Sequence, residues 1–225
     1  LIASRGAKVI ALDFNKSALE ELANELKLAP NQVHTCDISD QNQITATITA
    51  ILKDHGTIDA LINTAGIVGP SNTPAIDVKW ADFEKVLQVN LYGAIWLTQA
   101  VIPAMKAKKY GRIVHLASIA GKEGNPGLSP YNTSKAGMIG FVKGVAKEVA
   151  PDGITINSVS PSTVITKLFF ENDENYKKYL GRSAADELAR REVASPKGLV
   201  TVEEVARVVS FLANDASGSI NGEVI

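Results

Sequence analysis

The chain of 225 residues is short of several things, and each shortage closes off a class of function. It has one cysteine, Cys36, so no intrachain disulfide can form, which fits a reducing cytoplasm. Cys36 reads as a small apolar filler in a strand. Its 23 basic residues are matched by 24 acidic ones, without a basic run, a poor footing for nucleic acid or an anionic membrane. No apolar stretch is longer than a strand, so nothing reads as a bilayer span. Three histidines, His34, His55 and His115, share no metal-ligand spacing, and no metal is expected. His115 alternates with buried strand positions and reads as a hydrogen-bonded core residue. Internal repeats and low-complexity tracts are also missing. At this length the chain 1–225 is expected to be a single domain with a substantial core.

What is there is an alternation of strand-like and helix-like segments. Ala7–Asp13 is an apolar run closed by an acid, the pattern of a buried parallel strand. Asn15 or Ser17 can cap a helix with Leu19, Leu22, Ala23 and Leu26 on one stripe. Val33–Ile38 reads as a second strand. Asp40 opens a helix with Ile44, Ile48 and Ile51 inward, and Gly56 ends it. Ile58–Asn63 is a third strand that runs into the turn Ala65-Gly66. One long helix is expected over about 82–108, apolar on most sides. The strand before Ser118, a helix over 131–150, a strand Gly153–Val159, a helix over 201–214 and a last strand near Glu223–Ile225 complete the series. Residues 164–198 are less regular and are expected to cover the substrate. Such alternation predicts an α/β fold, a parallel sheet with helices on both faces.

One constellation carries chemistry. Tyr131 and Lys135 stand four apart, and residues at that spacing share a helix face. A fixed positive charge beside a phenol favours the phenolate and is expected to lower its pKa, as proton exchange near neutral pH requires. Ser118 ends the apolar segment Gly111–Ser118, and ligands of open α/β sheets bind beyond the carboxyl ends of strands. Ser118 is thus placed to polarise a carbonyl. As a bare surface pair, Tyr131 and Lys135 would be worth only about 0.2–0.5 kcal/mol.

With the turn Asn63-Thr64-Ala65-Gly66, the pair in Tyr131-Asn132-Thr133-Ser134-Lys135, and the segment Ser160-Pro161-Ser162-Thr163-Val164-Ile165-Thr166, the chain resembles the short-chain dehydrogenase/reductase family over almost its whole length. The resemblance implies a Rossmann-type doubly wound sheet. It implies catalytic roles for Ser118, Tyr131 and Lys135, with Lys135 also holding the nicotinamide ribose. Asn90, in Val89-Asn90-Leu91-Tyr92-Gly93, matches the residue that holds a water in the proton relay. As a bare helix position it would only satisfy a backbone kink. By the same matching, Asp37 and Ile38 touch the adenine ring, Asn63, Ala65 and Gly66 form the cofactor turn, and Pro161, Val164 and Thr166 lie along the carboxamide end.

Thr64, Thr133 and Ser162 depart from the family pattern, and Ser162 matters only where the backbone needs a positive φ. The family's opening strand and glycine-rich phosphate loop have no counterpart, and the chain stops inside its last strand. It therefore reads as a fragment, expected to be insoluble or unable to bind cofactor by itself, with a gap in the sheet between Ala7–Asp13 and Ile58–Asn63. Asp13 ends the second family strand, where an acid accepts from ribose hydroxyls and repels a 2′-phosphate. NAD is expected over NADP, though Asp13 could equally be a solvated turn residue. The loop 118–126 resembles that of sugar and sugar-acid dehydrogenases, and the charge in 167–192 suits a polar substrate. The runner-up is a 3-oxoacyl thioester reductase using NADPH. A silent dinucleotide-binding scaffold would need none of Asn90, Ser118, Tyr131 and Lys135. A homotetramer is implied by the family and by the apolar helix with Ala136, Gly137, Ile139, Phe141 and Val145.

Overall fold

A computed structural model of the protein describes residues 1–166, 170, 173–193 and 199–225. Strand β1 (Ala11–Asp13) pairs in parallel with β2 (Val33–Thr35). Strands β3 (Ala60–Asn63), β4 (Gly111–Leu116) and β5 (Ile154–Val159) form a second parallel ladder in that order. Parallel neighbours need a crossover between them, and helices supply it: α1 (Lys16–Leu26), α2 (Gln41–His55), α3 (Trp80–Leu87), α4 (Gly93–Lys108) and α6 (Ser129–Val149). The short α5 (Ala120–Glu123) precedes α6, and α7 (Asp173–Leu180), α8 (Ala184–Val193) and α9 (Val202–Leu212) follow β5. The runs β2-β1 and β3-β4-β5 correspond to the two flanks of the expected doubly wound order. Among the described residues no ladder joins β1 to β3.

Local chemistry sets the boundaries. Asn15 Oδ1 accepts from Ala18 N at the start of α1, and Asp40 caps α2 by accepting from Asn42 N and Gln43 N. Gly56 ends α2 with φ +77°, a conformation that costs glycine little. Thr201 and Glu204 form a reciprocal capping box on α9. On one face of the sheet, Ile44, Ile48 and Ile51 of α2, Leu97, Val101 and Met105 of α4, and Val142 and Ala146 of α6 pack with Ile113, Ile154 and Ile156. On the other face Val209 and Leu212 of α9 close over Val114 and Val159. Both faces are therefore covered, as a parallel sheet requires.

Four expected elements differ. The strand expected from Ala7 begins only at Ala11, and the Val9 carbonyl accepts instead from the Gln32 side chain at 2.7 Å. The strand expected to reach Ile38 stops at Thr35, because the Asp37 carboxylate turns the chain by accepting from Ser39 N and Oγ. The long helix is interrupted by one π turn, Gln88–Tyr92, whose extra residue rotates Asn90 into the interior. Hydrophobic periodicity is blind to such an insertion. Glu223–Ile225 contributes a single bridge, Ser158 to Val224, supported by bonds from Ser158 N to Glu223 O and from Ile225 N to Ser158 O. The irregular stretch after Val164 contains α7 and α8, and a bridge between Val164 and Val200 ties its ends together.

Gly121 fixes how closely α5 approaches α6. A Cβ there would lie 2.6 Å from the Lys135 carbonyl carbon and 2.8 Å from Ala136 N, both rigid backbone atoms. Gly121→Ala must therefore push the two helices apart. The expected cost is about 1–3 kcal/mol, read as a lower urea midpoint with an unchanged slope.

Candidate active site

Ser118 lies two residues past the end of β4, held there by bonds from Ala117 N to Val159 O and from Ile119 N to Pro161 O. Its Oγ accepts from Ala120 N at 3.1 Å, which leaves the hydroxyl proton to be given elsewhere. Tyr131, near the start of α6, lines the same cavity as Ser118, near enough for the serine hydroxyl to act on its phenol. Lys135 sits one turn further along, 4% exposed, with Nζ 5.6 Å from the centre of the Tyr131 ring. Its ammonium donates to Leu116 O at 2.6 Å, so the lysine is tied to the strand that carries Ser118. The structure brings these three side chains together at the carboxyl edge of β4.

Burial sets the electrostatics. It lowers the Lys135 pKa to about 8, since an ammonium out of water is disfavoured. It also raises the Tyr131 phenol above its ordinary value, and the Ser118 hydroxyl offsets only part of that. A lowered phenol was expected from the charge on Lys135. The difference is physical: desolvation of the half-buried ring dominates, and the ammonium is directed at the Leu116 carbonyl.

Asn90 and the 63–66 turn close the inner side. Asn90 is wholly buried; its Oδ1 accepts from Ile67 N, and its Nδ2 donates to Ile67 O and to Ser134 Oγ, at 2.8–3.0 Å. Both amide protons are thus committed to protein partners, which satisfies the wide turn of the helix around it. Gly66 passes so close that a Cβ would lie 3.2 Å from Asn90 Oδ1 and 3.5 Å from Lys135 Nζ. Asn63 orders the same turn by accepting from Ala65 N. A side chain there would press on the Asn90 amide and come into ordinary contact with the lysine.

A cavity of about 550 Å³ opens in front of Ser118 and Tyr131, lined also by Thr64, Val68, Pro161, Val164 and Thr166. Its volume falls in the range of small-molecule sites, roughly 300–1,000 Å³. Val202, Val205 and Val209 of α9 form another wall. A helix over 201–214 was legible in the sequence, but nothing in it marked these valines as facing a site. Gly66 and Lys135, beside the cavity, fit the nicotinamide-ribose end of a dinucleotide: a close backbone, a cation for ribose hydroxyls, and room beyond Ser118.

Asp13, Asp37 and Ile38 stand apart from that cavity. Asp13 is exposed, and its Oδ1 accepts from Asn15 N at 2.8 Å; no hydrogen bond among the described residues engages Oδ2. The Asp37 carboxylate is held below the ordinary carboxylate range, chiefly by its bond from the Ser39 hydroxyl. Ile38 packs against the start of α4, its carbonyl 2.7 Å from where a Gly93 Cβ would be. Among the described residues no cluster of three or more His, Cys, Asp or Glu could hold a metal, and no helix is long and apolar enough to cross a membrane.

The depressed lysine has a stability consequence. Between about pH 8 and the ordinary value of 10.5, the unfolded chain holds a proton that the folded chain has released. Raising the pH through that window therefore favours the folded state. Lys135→Met should abolish this contribution, so the difference in melting temperature between wild type and variant should change across the window. A pH-independent difference would show that Lys135 is not desolvated.

The family model described as enoyl-(acyl carrier protein) reductase matches residues 1–225. The 3-oxoacyl-[acyl-carrier-protein] reductase of Thermotoga maritima is 35% identical over 100% of this chain and 87% of its own length. The 2-dehydro-3-deoxy-L-rhamnonate dehydrogenase (NAD(+)) of a Sphingomonas species is also 35% identical, over 95% of this chain and 81% of its own length. Among solved structures, levodione reductase superposes with a TM-score of 0.90 at 31% identity, covering 100% of this chain and 87% of that one. The chain belongs to the short-chain dehydrogenase/reductase family and is a nicotinamide-dinucleotide oxidoreductase acting on CH–OH groups.

Proposed function

We propose that this oxidoreductase interconverts a secondary alcohol and a ketone on a sugar or sugar-acid derivative, with NAD(H) as the dinucleotide. The observation that carries the chemistry is the contact between Ser118 and Tyr131 above a buried Lys135. Bound nicotinamide supplies hydride transfer; the protein's share is orientation and proton handling. Tyr131 gives its proton to the carbonyl oxygen in reduction and takes it back in oxidation. Ser118 donates to the same oxygen, a preorganised dipole aimed at the developing charge. Lys135 holds ribose hydroxyls and supplies positive charge beneath the phenol. Pro161, Val164 and Thr166 border the carboxamide end, and Asp37 and Ile38 the adenine end. Any water in the relay at Asn90 meets its carbonyl oxygens, since both amide protons are committed.

Two observations favour NAD and a polar substrate. Asp13 ends β1 with one carboxylate oxygen unclaimed within the described chain, and a 2′-phosphate there would meet an exposed negative charge. The segment after Val164 is rich in charge: Asp173, Glu174, Lys177, Lys178, Arg182, Asp186 and Glu187 cover α7, α8 and the turn between them. A relative whose name specifies NAD(+) and a sugar acid is consistent with both. The second reading, a 3-oxoacyl thioester reductase using NADPH, is favoured by the equal identity to the Thermotoga maritima reductase and by the apolar walls of the cavity.

A homotetramer is part of the proposal. The outer faces of α4 and α6 border a groove lined by Gln99, Ile102, Gly140, Phe141, Gly144 and Val145. A Cβ at Gly140 or Gly144 would meet nothing within 4 Å, so a second copy can lie close against these helices.

Tyr131→Phe should lower kcat roughly 10²–10⁴-fold with the fold intact, the usual worth of a proton-transfer group; near-normal turnover would end this mechanism. Assays of sugar acids, polyols and 3-oxoacyl thioesters with both dinucleotides should give the higher kcat/KM with NAD(H) and a sugar-derived substrate. Asp13→Ala should narrow the cofactor preference. A wild type that prefers NADPH and the thioester decides for the second reading. Light scattering should report four copies, and Gly144→Glu should dissociate them without lowering monomer stability; a monomeric wild type removes the tetramer.

A further inference from the structure

His115 is wholly buried beside the site, and the mechanism makes no use of it. It is the cross-strand partner of Asn63 in the β3–β4 ladder, so the two side chains emerge on the same face. Its Nδ1 lies 3.3 Å from Asn63 Nδ2, and its Nε2 lies 2.9 Å from Thr98 Oγ1 on α4. A buried polar ring of this kind needs every polar atom satisfied.

The protons along this path have one arrangement. Ala65 N–H donates to Asn63 Oδ1 at 3.2 Å, which turns the Asn63 NH₂ toward His115. His115 Nδ1 must then be an acceptor, and its proton sits on Nε2. At the far end Thr98 gives its own proton to Ala94 O at 2.8 Å, so Thr98 Oγ1 accepts from Nε2–H. The chain of bonds runs in one direction, from the Ala65 amide through Asn63, His115 and Thr98 to the main chain of α4. Burial and the nearby charge on Lys135 push the ring pKa down to about 3, which keeps the ring neutral in the ordinary pH range.

We propose that His115 is a positioning residue: as a neutral ring protonated on Nε2, it anchors Asn63 to α4 and thereby holds the 63–66 turn against Asn90 and Lys135. Gly66 packs tightly on the Asn90 amide and lies beside the Lys135 ammonium, so a turn released at Asn63 would move the floor of the dinucleotide cradle. Its bearing on cofactor binding rests on the function proposed above; its bearing on the turn does not. A ring present only to fill volume would need no direction of hydrogen bonding, and either isostere would serve equally.

The two amides separate those cases. His115→Asn keeps an acceptor near the Nδ1 position for Asn63 and gives up Thr98. His115→Gln reaches Thr98 and offers nothing to Asn63. Amide hydrogen exchange over residues 63–66, referenced to β4, should be slow in wild type and His115→Asn, and about tenfold faster in His115→Gln, the worth of one buried hydrogen bond. Calorimetric titration with NAD and NADP should show a dissociation constant about tenfold weaker for His115→Gln and within about twofold of wild type for His115→Asn. Nitrogen NMR of isotope-labelled histidine in the wild type should show a neutral Nε2–H ring throughout about pH 5 to 8. Equal exchange in the two variants, or a ring protonated on Nδ1, overturns the proposal even where a variant is too unstable to purify. A wild type that binds neither dinucleotide would instead defeat the function, and exchange at the turn would still decide the role of His115.

Discussion

The site depends on keeping a lysine ammonium inside the protein. Removing such a charge from water costs several kcal/mol, and the depressed pKa of about 8 records that cost. The residue stays mainly protonated near neutral pH because one short bond to Leu116 O and the face of Tyr131 take the place of water. Everything that touches Lys135 is correspondingly tight. Gly121 lets α5 lie against its backbone, and Gly66 lets the turn after β3 run beside its Nζ. A methyl group at Gly121 meets backbone that cannot move independently of the site, and one at Gly66 presses on the Asn90 amide.

A second constraint follows from the first. A charge placed between a sheet and its covering helices forces other polar groups to be buried with it, and each must find a partner. Asn90 does so through the π turn, which rotates its amide onto both main-chain groups of Ile67 and onto Ser134. Asn63, His115 and Thr98 do so through a directed series of bonds. In both cases a polar side chain from a helix or strand fastens a loop that has no ladder of its own. The fold thus obtains a rigid site from loops by tying them to regular elements on either side.

This division explains what could be read from residues alone. β4, β5 and α6 were legible because burial on all sides leaves a continuous apolar run or a clear helical stripe, and Tyr131 and Lys135 share a face at their spacing. Ser118 followed from the end of its strand. The π turn was not legible, since one inserted residue hardly changes the apolar pattern over 82–108. The lengths of β1 and β2 were not legible either: a strand's sequence does not record where its hydrogen-bonded neighbour stops, or that Gln32 would satisfy Val9 from its side chain. Gly121 carries no pattern at all. Its significance lies in a distance to another helix, which only packing reveals.

The protonation state of Tyr131 joins the fold to the chemistry. Burial keeps the phenol protonated, while Ser118 pulls in the other direction. A phenol that holds its proton at neutral pH is a ready acid for a ketone, and donation to the nascent alkoxide needs no prior ionisation. In the opposite direction the same phenol must first lose its proton in a place where an anion is costly. The nearby charge able to offset that cost is Lys135, and it can do so only below about pH 8, while it remains an ammonium. The two pKa displacements therefore set limits on each other. The burial that makes Tyr131 a good donor also weakens the lysine that would make it a good base. Balance between the two directions then rests on how far the Leu116 carbonyl and the ribose hydroxyls hold the ammonium charged, which places the control of Tyr131 in the groups around Lys135.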